Sequence, residues 1–179
     1  IKLVDYVQQL PYLDEKLLEK LGADFRMVQL PAATAPGVEI FEDGDFYAFI
    51  DRWGSKLHMP KDGGLYFDLV DFPIKEPTMT ALETYRWPSP DTPEDIAPLR
   101  NQAKYLYEHT DYALVGSAVI GGGIFEQPAR VMGLENFLMA LVAEPSFADK
   151  FMDRITEIYI ESCNRYLEQV GEYLQVFTY

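Results

Sequence analysis

The sequence predicts an α/β protein with a parallel sheet, and three observations support this fold class. Apolar strand patterns alternate with amphipathic helix patterns, an order typical of parallel sheets with right-handed crossovers. Turn-rich aromatic runs over about 38–70 predict a small antiparallel β-meander inserted into that order. The chain has 179 residues, of which 48% are hydrophobic, and this suffices for a packed core. We therefore expect a single domain over 1–179.

The first helix and the first strand follow each other closely. Asp14 is a capping residue, leucines recur behind it at helical spacing, and Gly22 ends the helix. The mostly apolar run from Phe25 to Leu30 predicts a strand that Pro31 terminates. This strand is the first of the predicted parallel sheet.

A proline-rich region separates this part of the chain from the next helix. The segment 71–91 contains too many prolines for a helix, so we expect a surface loop there. Thr92 and Pro93 then cap and open a helix whose last turn contains His109. The apolar run 112–118 predicts the second parallel strand.

Two further helix patterns and a third strand complete the sequence. Apolar residues at helical spacing predict one helix over 131–141, broken at Pro145, and another from Ser146 to Gly171. The segment 173–179 predicts the third strand. Three parallel strands are fewer than the eight of a closed barrel, so the sequence predicts the beginning of a larger structure.

Charge and composition argue against several classes of partner. Twenty-nine acidic and fifteen basic residues give a net charge of -14, which disfavours nucleic acid and anionic membrane surfaces. The longest weakly charged stretch, 112–125, is shorter than the roughly 20 apolar residues of a membrane-spanning helix. No secretory signal pattern opens the sequence, so we expect a cytoplasmic location.

Cysteine and histidine are too few for the commonest catalytic and metal sites. One cysteine, Cys163, and two histidines, His58 and His109, exclude an internal disulfide and a thiolate zinc site. Cys163 lies in a helical pattern, where a packed residue is expected rather than a nucleophile. A Ser-His-Asp triad is disfavoured because the sequence has no nucleophile elbow.

Several weaker signals each have a functional and an ordinary interpretation. The glycines 121–123 follow a strand, where backbone amides could cradle an anion or form a plain turn. The carboxylates of Asp45, Asp68 and Asp71 could hold Mg²⁺ or Ca²⁺, or be solvated acids of the meander. The aromatic residues of the meander either line a planar ligand or pack in half-buried strands.

Four segments carry a resemblance to a known family. They are LLEKLGADFR (17–26), IDRWG (50–54), TDYALVG (110–116) and GLENFLMAL (133–141), the last continuing through Glu144 and Pro145. Taken in order, they resemble the uroporphyrinogen decarboxylase family, which includes corrinoid-linked methyltransferases and demethylation proteins. The likeness spans nearly the whole chain. It implies a (β/α)8 TIM barrel, of which this chain is the first half, with the meander as an insertion.

The sequence departs from the pattern of the family's decarboxylase at three places. The arginine-rich segment that binds the porphyrinogen is not visible. The aspartate that ends the first barrel strand falls at Gln29 or within one residue of it, and an amide does not replace a carboxylate that accepts pyrrole hydrogens. The family's pocket tyrosine maps near Phe125 to Gln127, where no tyrosine occurs. These departures favour the methyl-transfer branch.

The resemblance therefore implies corrinoid-linked methyl transfer or O-demethylation, with true uroporphyrinogen decarboxylation in porphyrin biosynthesis as the alternative. The partner is a tetrapyrrole, or a small methylated substrate that meets a corrinoid protein. The zinc ligands of the methyltransferase branch lie in the second half of the barrel, so no metal site is expected here, and corrinoid and zinc belong to the complete protein. We expect the complete barrel to be an enzyme and this half alone to be inactive.

Positions at or just past the strand ends are the candidate site residues. Glu126 is the catalytic candidate, as the group that handles a proton, and its ordinary interpretation is a first-turn helix acid. Four residues are substrate-binding candidates, or else ordinary loop residues: Gln29, Gly123, Phe125 and Thr178. Among them, Gln29 would hydrogen-bond a pyrrole or a methoxy group, and Phe125 would stack.

A hypothesis from another class is a non-catalytic module. An unclosed half barrel exposes the edges of its sheet, and these edges can pair with another copy of the chain. On either hypothesis we expect a homo-oligomer.

Overall fold

The computed structural model describes residues 3–29, 39–117 and 122–178. In these residues the strands are β1 (Leu3–Asp5), β2 (Leu10–Pro11), β3 (Phe25–Val28), β4 (Phe41–Asp43), β5 (Phe46–Ile50), β6 (Lys56–Pro60), β7 (Asp68–Asp71), β8 (Ala113–Ser117) and β9 (Val176–Thr178). The helices are α1 (Glu15–Lys20), α2 (Met79–Thr84), α3 (Pro93–His109), α4 (Gly123–Met132), α5 (Leu134–Ala143) and α6 (Pro145–Val170), followed by a 3₁₀ turn (Gly171–Tyr173). The fold is mixed α/β, as predicted, and the described strands form three sheets without a closed barrel.

The chain divides into two compact units. The first contains residues 1–11, 31–89 and 121–157, and the second contains residues 12–30, 90–120 and 158–179, so that the boundary falls inside α6. The assignment of 1–179 to a single domain stays a prediction.

The second unit is built on a parallel sheet in the order β3-β8-β9. Because β8 pairs with both other strands, the three strands lie side by side in the order of the sequence. The predicted parallel strands are therefore confirmed. The last strand begins at Val176 rather than at Tyr173, because a 3₁₀ turn occupies the start of the predicted segment.

One face of this sheet is buried under α3 and α6. The core consists of Val28, Ile96, Leu99, Ala103, Leu114, Tyr166, Val170 and Tyr173. The Tyr166 hydroxyl donates a hydrogen bond to the Val28 carbonyl, and burial raises the pKa of Tyr166 to about 12. Gly116 makes this packing possible, because a Cβ atom there would collide with the side chains of Leu174 and Tyr166.

The predicted helix starts in this unit are confirmed. The Asp14 carboxylate accepts a hydrogen bond from the Leu17 amide at 2.9 Å, and Thr92 and Asp95 form a reciprocal capping box. Pro93 follows Thr92 and begins the helix. Proline suits this first position because no amide hydrogen-bond donor is required there.

A buried cation lies on the same side of the sheet as the core. Arg26 is 4% exposed, and its Nη2 atom lies 2.5 Å from the Glu15 Oε1 atom. Its guanidinium carbon lies 3.5 Å from the centre of the Tyr112 ring. The ion pair and the aromatic ring compensate the cost of removing this charge from water.

The first unit contains the predicted meander. Strands β4-β5-β6-β7 form an antiparallel sheet in chain order, which confirms the prediction for 38–70. Phe49, Leu57 and Phe67 form its core, with Val7 and Met59 packed beside them. The sequence did not predict the β1-β2 hairpin, whose strands have only three and two residues.

A partly buried aspartate organises the turn after β5. The Asp51 carboxylate accepts hydrogen bonds from the amides of Trp53 at 2.9 Å and Ser55 at 2.8 Å. Burial raises the pKa of Asp51. The Tyr85 hydroxyl closes this arrangement by donating to the Trp53 carbonyl at 2.5 Å.

Two predictions about helices are wrong. The segment 71–91 contains α2, which lies between prolines. The Thr78 side chain caps the start of this helix, and Leu82 is its buried side chain. The single helix predicted for 131–141 is in fact α4 and α5, because Gly133 adopts φ +82 and breaks the chain direction. A Cβ atom at Gly133 would lie 2.7 Å from the Phe72 ring, so a contact distant in sequence selects glycine there.

None of the helices in the described part of the chain combines the length and apolar character needed to cross a membrane.

Candidate functional site

The parallel sheet of the second unit has an open face opposite its helix-covered face. Successive side chains of a strand alternate between the two faces, and the register therefore defines the rows on each face. Met27 pairs with Val115, which pairs with Val176. Phe25, Met27 and Val176 remain 57%, 44% and 43% exposed. The open face consists of Phe25, Met27, Ala113, Val115 and Val176.

Polar side chains follow the open face at the carboxyl end of each strand. Gln29 comes directly after β3, while Ser117 ends β8 and Thr178 ends β9. Each is two residues beyond a residue of the open face, so the period of two places all three on that face. Ser117 and Thr178 are register partners. We name Gln29, Ser117 and Thr178 the strand-end row.

The strand-end row is polar but uncharged. The Gln29 side-chain amide can donate and accept hydrogen bonds, and the Ser117 hydroxyl can also donate or accept one. The Thr178 hydroxyl donates to the Gly116 carbonyl at 3.2 Å, which leaves its oxygen as an acceptor. The row therefore suits a neutral oxygen-containing or nitrogen-containing group, and the apolar row below suits a methyl group or an aromatic ring.

Two of the five predicted site residues belong to this row. Gln29 and Thr178 were identified by their positions at strand ends, and the alternation of side chains along β3 and β9 assigns them to the same face of one sheet. Ser117 was missed. The sequence pattern that could have identified Ser117 is the alternation Ala113, Val115, Ser117, in which a hydroxyl ends an otherwise apolar series.

The other three predicted site residues lie in the first turn of α4, in the first unit. Gly123 begins the helix with φ +77. Phe125 is exposed and meets the Phe137 ring edge-on at 5.6 Å, so one part of its surface is used in packing. Gly121, the first glycine of the predicted turn, lies outside the described residues.

Glu126 is ion-paired. Its Oε1 atom lies 2.6 Å from the Arg130 Nη2 atom, one helical turn away. Its carboxyl group also lies over Gly122, since a Cβ atom there would be 2.7 Å from the Glu126 Cδ atom. A paired carboxylate of this kind accepts hydrogen bonds, and its role in handling a proton stays a prediction.

Gln127, beside this ion pair, was also missed by the sequence analysis. It is 1% exposed, and its Oε1 atom accepts a hydrogen bond from the Gly122 amide at 3.3 Å. Its Nε2 atom has no hydrogen-bond partner among the residues described. The amide thereby holds the start of α4 in place.

The first unit also contains a pocket of about 480 Å³, within the range of small-molecule sites. It is lined by Glu76, Pro77, Thr78, Met79, Glu144, Ser146 and Phe147. None of the five predicted site residues lines this pocket. Most of its lining residues are exposed, and it is a shallow groove between two helix starts.

Several ionisable groups of the meander form ion pairs. The Asp43 Oδ2 atom lies 2.6 Å from the Lys56 Nζ atom and 2.9 Å from the His58 Nε2 atom, and these contacts lower the pKa of Asp43. Asp71 pairs with Lys75 in the same way. In 3–29, 39–117 and 122–178, no cluster of three His, Cys, Asp or Glu side chains is arranged to hold a metal ion.

Cys163 lies on α6 and is partly buried. Burial raises the pKa of its thiol, which is opposite to the shift that activates a nucleophilic cysteine.

Comparison of the chain with protein-family models, with curated proteins and with solved structures finds no match in any of the three.

Proposed function

We propose that this chain is the first half of a (β/α)8 barrel of the uroporphyrinogen decarboxylase-like family, and that the complete protein removes a methyl group from a small methylated substrate. The four segments that resemble the family support this assignment. The sheet order β3-β8-β9 supports it as well, since successive parallel strands of such a barrel are neighbours.

The uncharged strand-end row is the observation that carries the choice of reaction. Binding pyrrole N–H groups at the strand ends requires a strong acceptor such as a carboxylate, and Gln29, Ser117 and Thr178 provide none. A methoxy oxygen, in contrast, accepts a hydrogen bond from the Gln29 amide or the Ser117 hydroxyl. Its methyl group and ring then rest on the apolar row of Met27 and Val115.

In O-demethylation the O–CH₃ bond of the substrate breaks, the methyl group passes to the reduced cobalt of a corrinoid carried by a partner protein, and the departing oxygen takes up a proton. The amide of Gln29 stabilises the negative charge that develops on this oxygen. This proton comes from solvent. The resemblance places the zinc ligands in the second half of the barrel, so the residues of this chain are assigned no step on zinc.

The experiment is a spectral titration of the complete protein. Reduced cobalamin with methoxybenzene as the methyl donor is expected to yield methylated cobalamin, and uroporphyrin is expected to produce no spectral shift. Gln29→Leu should lower the methyl-transfer rate about 100-fold, the order expected from losing one oriented donor. Asn101→Leu, which removes an amide from an exposed position of α3, is the matched control. A shift with uroporphyrin alone would support decarboxylation instead.

A second candidate function is a self-associating half barrel without activity. The exposed apolar side chains of Phe25, Met27 and Val176 favour it, because such a surface is normally covered. The intact mass of the natural gene product separates the two candidates. A mass of about 40 kDa, as expected for a (β/α)8 chain of more than 300 residues, supports the enzyme. A mass of 20.5 kDa supports the module.

A further inference from the structure

The groove of about 480 Å³ in the first unit lies between the starts of α2 and α6, and it is separate from the predicted site residues. We name it the helix-start groove. Its apolar lining consists of Pro77, Met79 and Phe147. Met79 is 37% exposed, whereas Phe147 is buried and packs against Phe151 with 5.5 Å between ring centres. The groove therefore offers an apolar surface that core packing holds in place.

Two carboxylates line the same groove, one from each helix start. Glu76 lies two residues before Thr78, which caps α2, and Glu144 directly precedes the first residue of α6. Both are exposed, and neither forms an ion pair with another described residue. Among the described residues that line the groove there is no lysine or arginine. Both carboxylates are therefore available to a ligand.

The helix-start groove carries a net negative charge. A helix N-terminus carries roughly half a positive elementary charge, so the two helix starts together contribute about one at most. The carboxylates of Glu76 and Glu144 contribute two negative charges. Lys75, which is next to Glu76 in the sequence, pairs with Asp71 instead. The groove is therefore complementary to a cation.

The lining favours an organic cation over a metal ion. Ca²⁺ takes about six to eight oxygen ligands, and nowhere in the described part of the chain are three His, Cys, Asp or Glu side chains grouped to hold a metal. An organic cation uses both properties of the groove. Its ammonium group pairs with a carboxylate, and its methylene groups cover the apolar side chains.

The number of carboxylates indicates how many ammonium groups the ligand has. A monoamine, or a single lysine side chain of a partner protein, would pair with one carboxylate and leave the other without a counter-charge. A molecule with two ammonium groups joined by a methylene chain pairs with both.

We propose that the helix-start groove binds an aliphatic diamine. One ammonium group pairs with Glu76 and the other with Glu144, and the methylene chain lies on Pro77 and Met79. The Ser146 hydroxyl, which also lines the groove, can accept a further hydrogen bond from an ammonium group. This site is independent of the methyl-transfer reaction proposed above.

Isothermal titration calorimetry of the complete protein with 1,5-diaminopentane tests the proposal. We expect saturable binding with a dissociation constant below about 1 mM. Glu76→Gln and Glu144→Gln should each raise this constant about fivefold, the upper range for one exposed ion pair. Replacing the ligand by 1-aminopentane should have a similar effect, since one ammonium group is lost. Glu168→Gln, which removes the same charge from an exposed position outside the groove, is the matched control and should bind normally.

A second variant tests the location without removing a carboxylate. Met79→Lys places an ammonium group in the groove, where it competes with the ligand, so this variant should lose binding. Circular dichroism verifies that each variant is folded. Unchanged affinity in Met79→Lys would place the diamine elsewhere and overturn the proposal.

Other results would also overturn the proposal. If both glutamine variants bind as tightly as the unmodified protein, the attraction comes from the overall negative charge and not from the groove. Equal affinity for 1-aminopentane would show that the second carboxylate is not used. Displacement of the diamine by an equal concentration of Ca²⁺ would assign the groove to a metal ion. Binding of a tetralysine peptide without binding of the diamine would assign it to a protein partner.

Discussion

The two faces of the β3-β8-β9 sheet differ in what their side chains do. On one face, Val28 and Leu114 are fully buried beneath α3 and α6. On the other, Met27 belongs to the apolar open face, which ends in the strand-end row. Alternate residues of the same short strands thus serve stability on one face and, in the proposed function, ligand binding on the other. The two faces can therefore be changed separately by substitution.

The largest expected effect is the loss of a core side chain next to an open-face residue. Leu114→Ala should lower the free energy of unfolding by about 3 kcal/mol, because the site is closed on all sides and a cavity remains. Met27→Ala should lower it by about 1 kcal/mol or less, because Met27 is 44% exposed. Urea unfolding measures both. Equal losses of unfolding free energy in Leu114→Ala and Met27→Ala would show that the open face is buried in the folded protein.

A smaller effect is expected from adding a methyl group on the core face. Gly116→Ala should destabilise the protein by about 2 kcal/mol, because its Cβ atom would lie 2.8 Å from the Tyr166 hydroxyl oxygen. Gly171→Ala is the matched control. The nearest atoms to its Cβ are those of Leu167 at 3.6 Å, an ordinary contact, so thermal unfolding should show little change. A stable Gly116→Ala variant would contradict the packing of Tyr166 on this face.

The smallest effect concerns the buried cation on the core face. The hydrogen bond from Arg26 lowers the pKa of Glu15. A carboxyl group with a lowered pKa in the folded state stabilises that state above its ordinary pKa of about 4.3, and this contribution disappears as the pH falls through the lower value. Glu15→Gln should therefore be less stable than the unmodified protein near neutral pH and equally stable in acid.

The control for this pH series is Glu168→Gln, which removes the same charge from an exposed position of α6. Denaturant midpoints across the pH range measure the difference between the variants. A difference for Glu15→Gln that persists unchanged in acid would show that the ion pair is not its source.

The elements that could be predicted are those with local signals. Asp14 and Thr92 mark helix starts through their own side chains, and the parallel strands follow from apolar runs. The break at Gly133 could not be predicted in this way, because it depends on Phe72, which is distant in sequence. Helix α2 was missed because the prolines on both sides dominate the composition of its region.

The candidate site shows the same limit. Gln29 and Thr178 could be selected as residues at strand ends. Their position in a common row depends on the register between three strands, which no local pattern encodes. Ser117 became visible only through that register. The ion pair between Glu126 and Arg130 has helical spacing, but it required the start of α4 to be known.

Methyl NMR of the complete protein with ¹³C-labelled methionine tests the central claim, that the open face is the ligand face, most directly. Met27 lies on the open face, while Met132 is fully buried in the first unit and serves as the internal control. Met27→Leu assigns the signal. Titration with methoxybenzene should shift the Met27 methyl signal to saturation and leave the Met132 signal in place. A Met27 signal that does not move at saturating methoxybenzene would contradict the assignment of the open face as the ligand face.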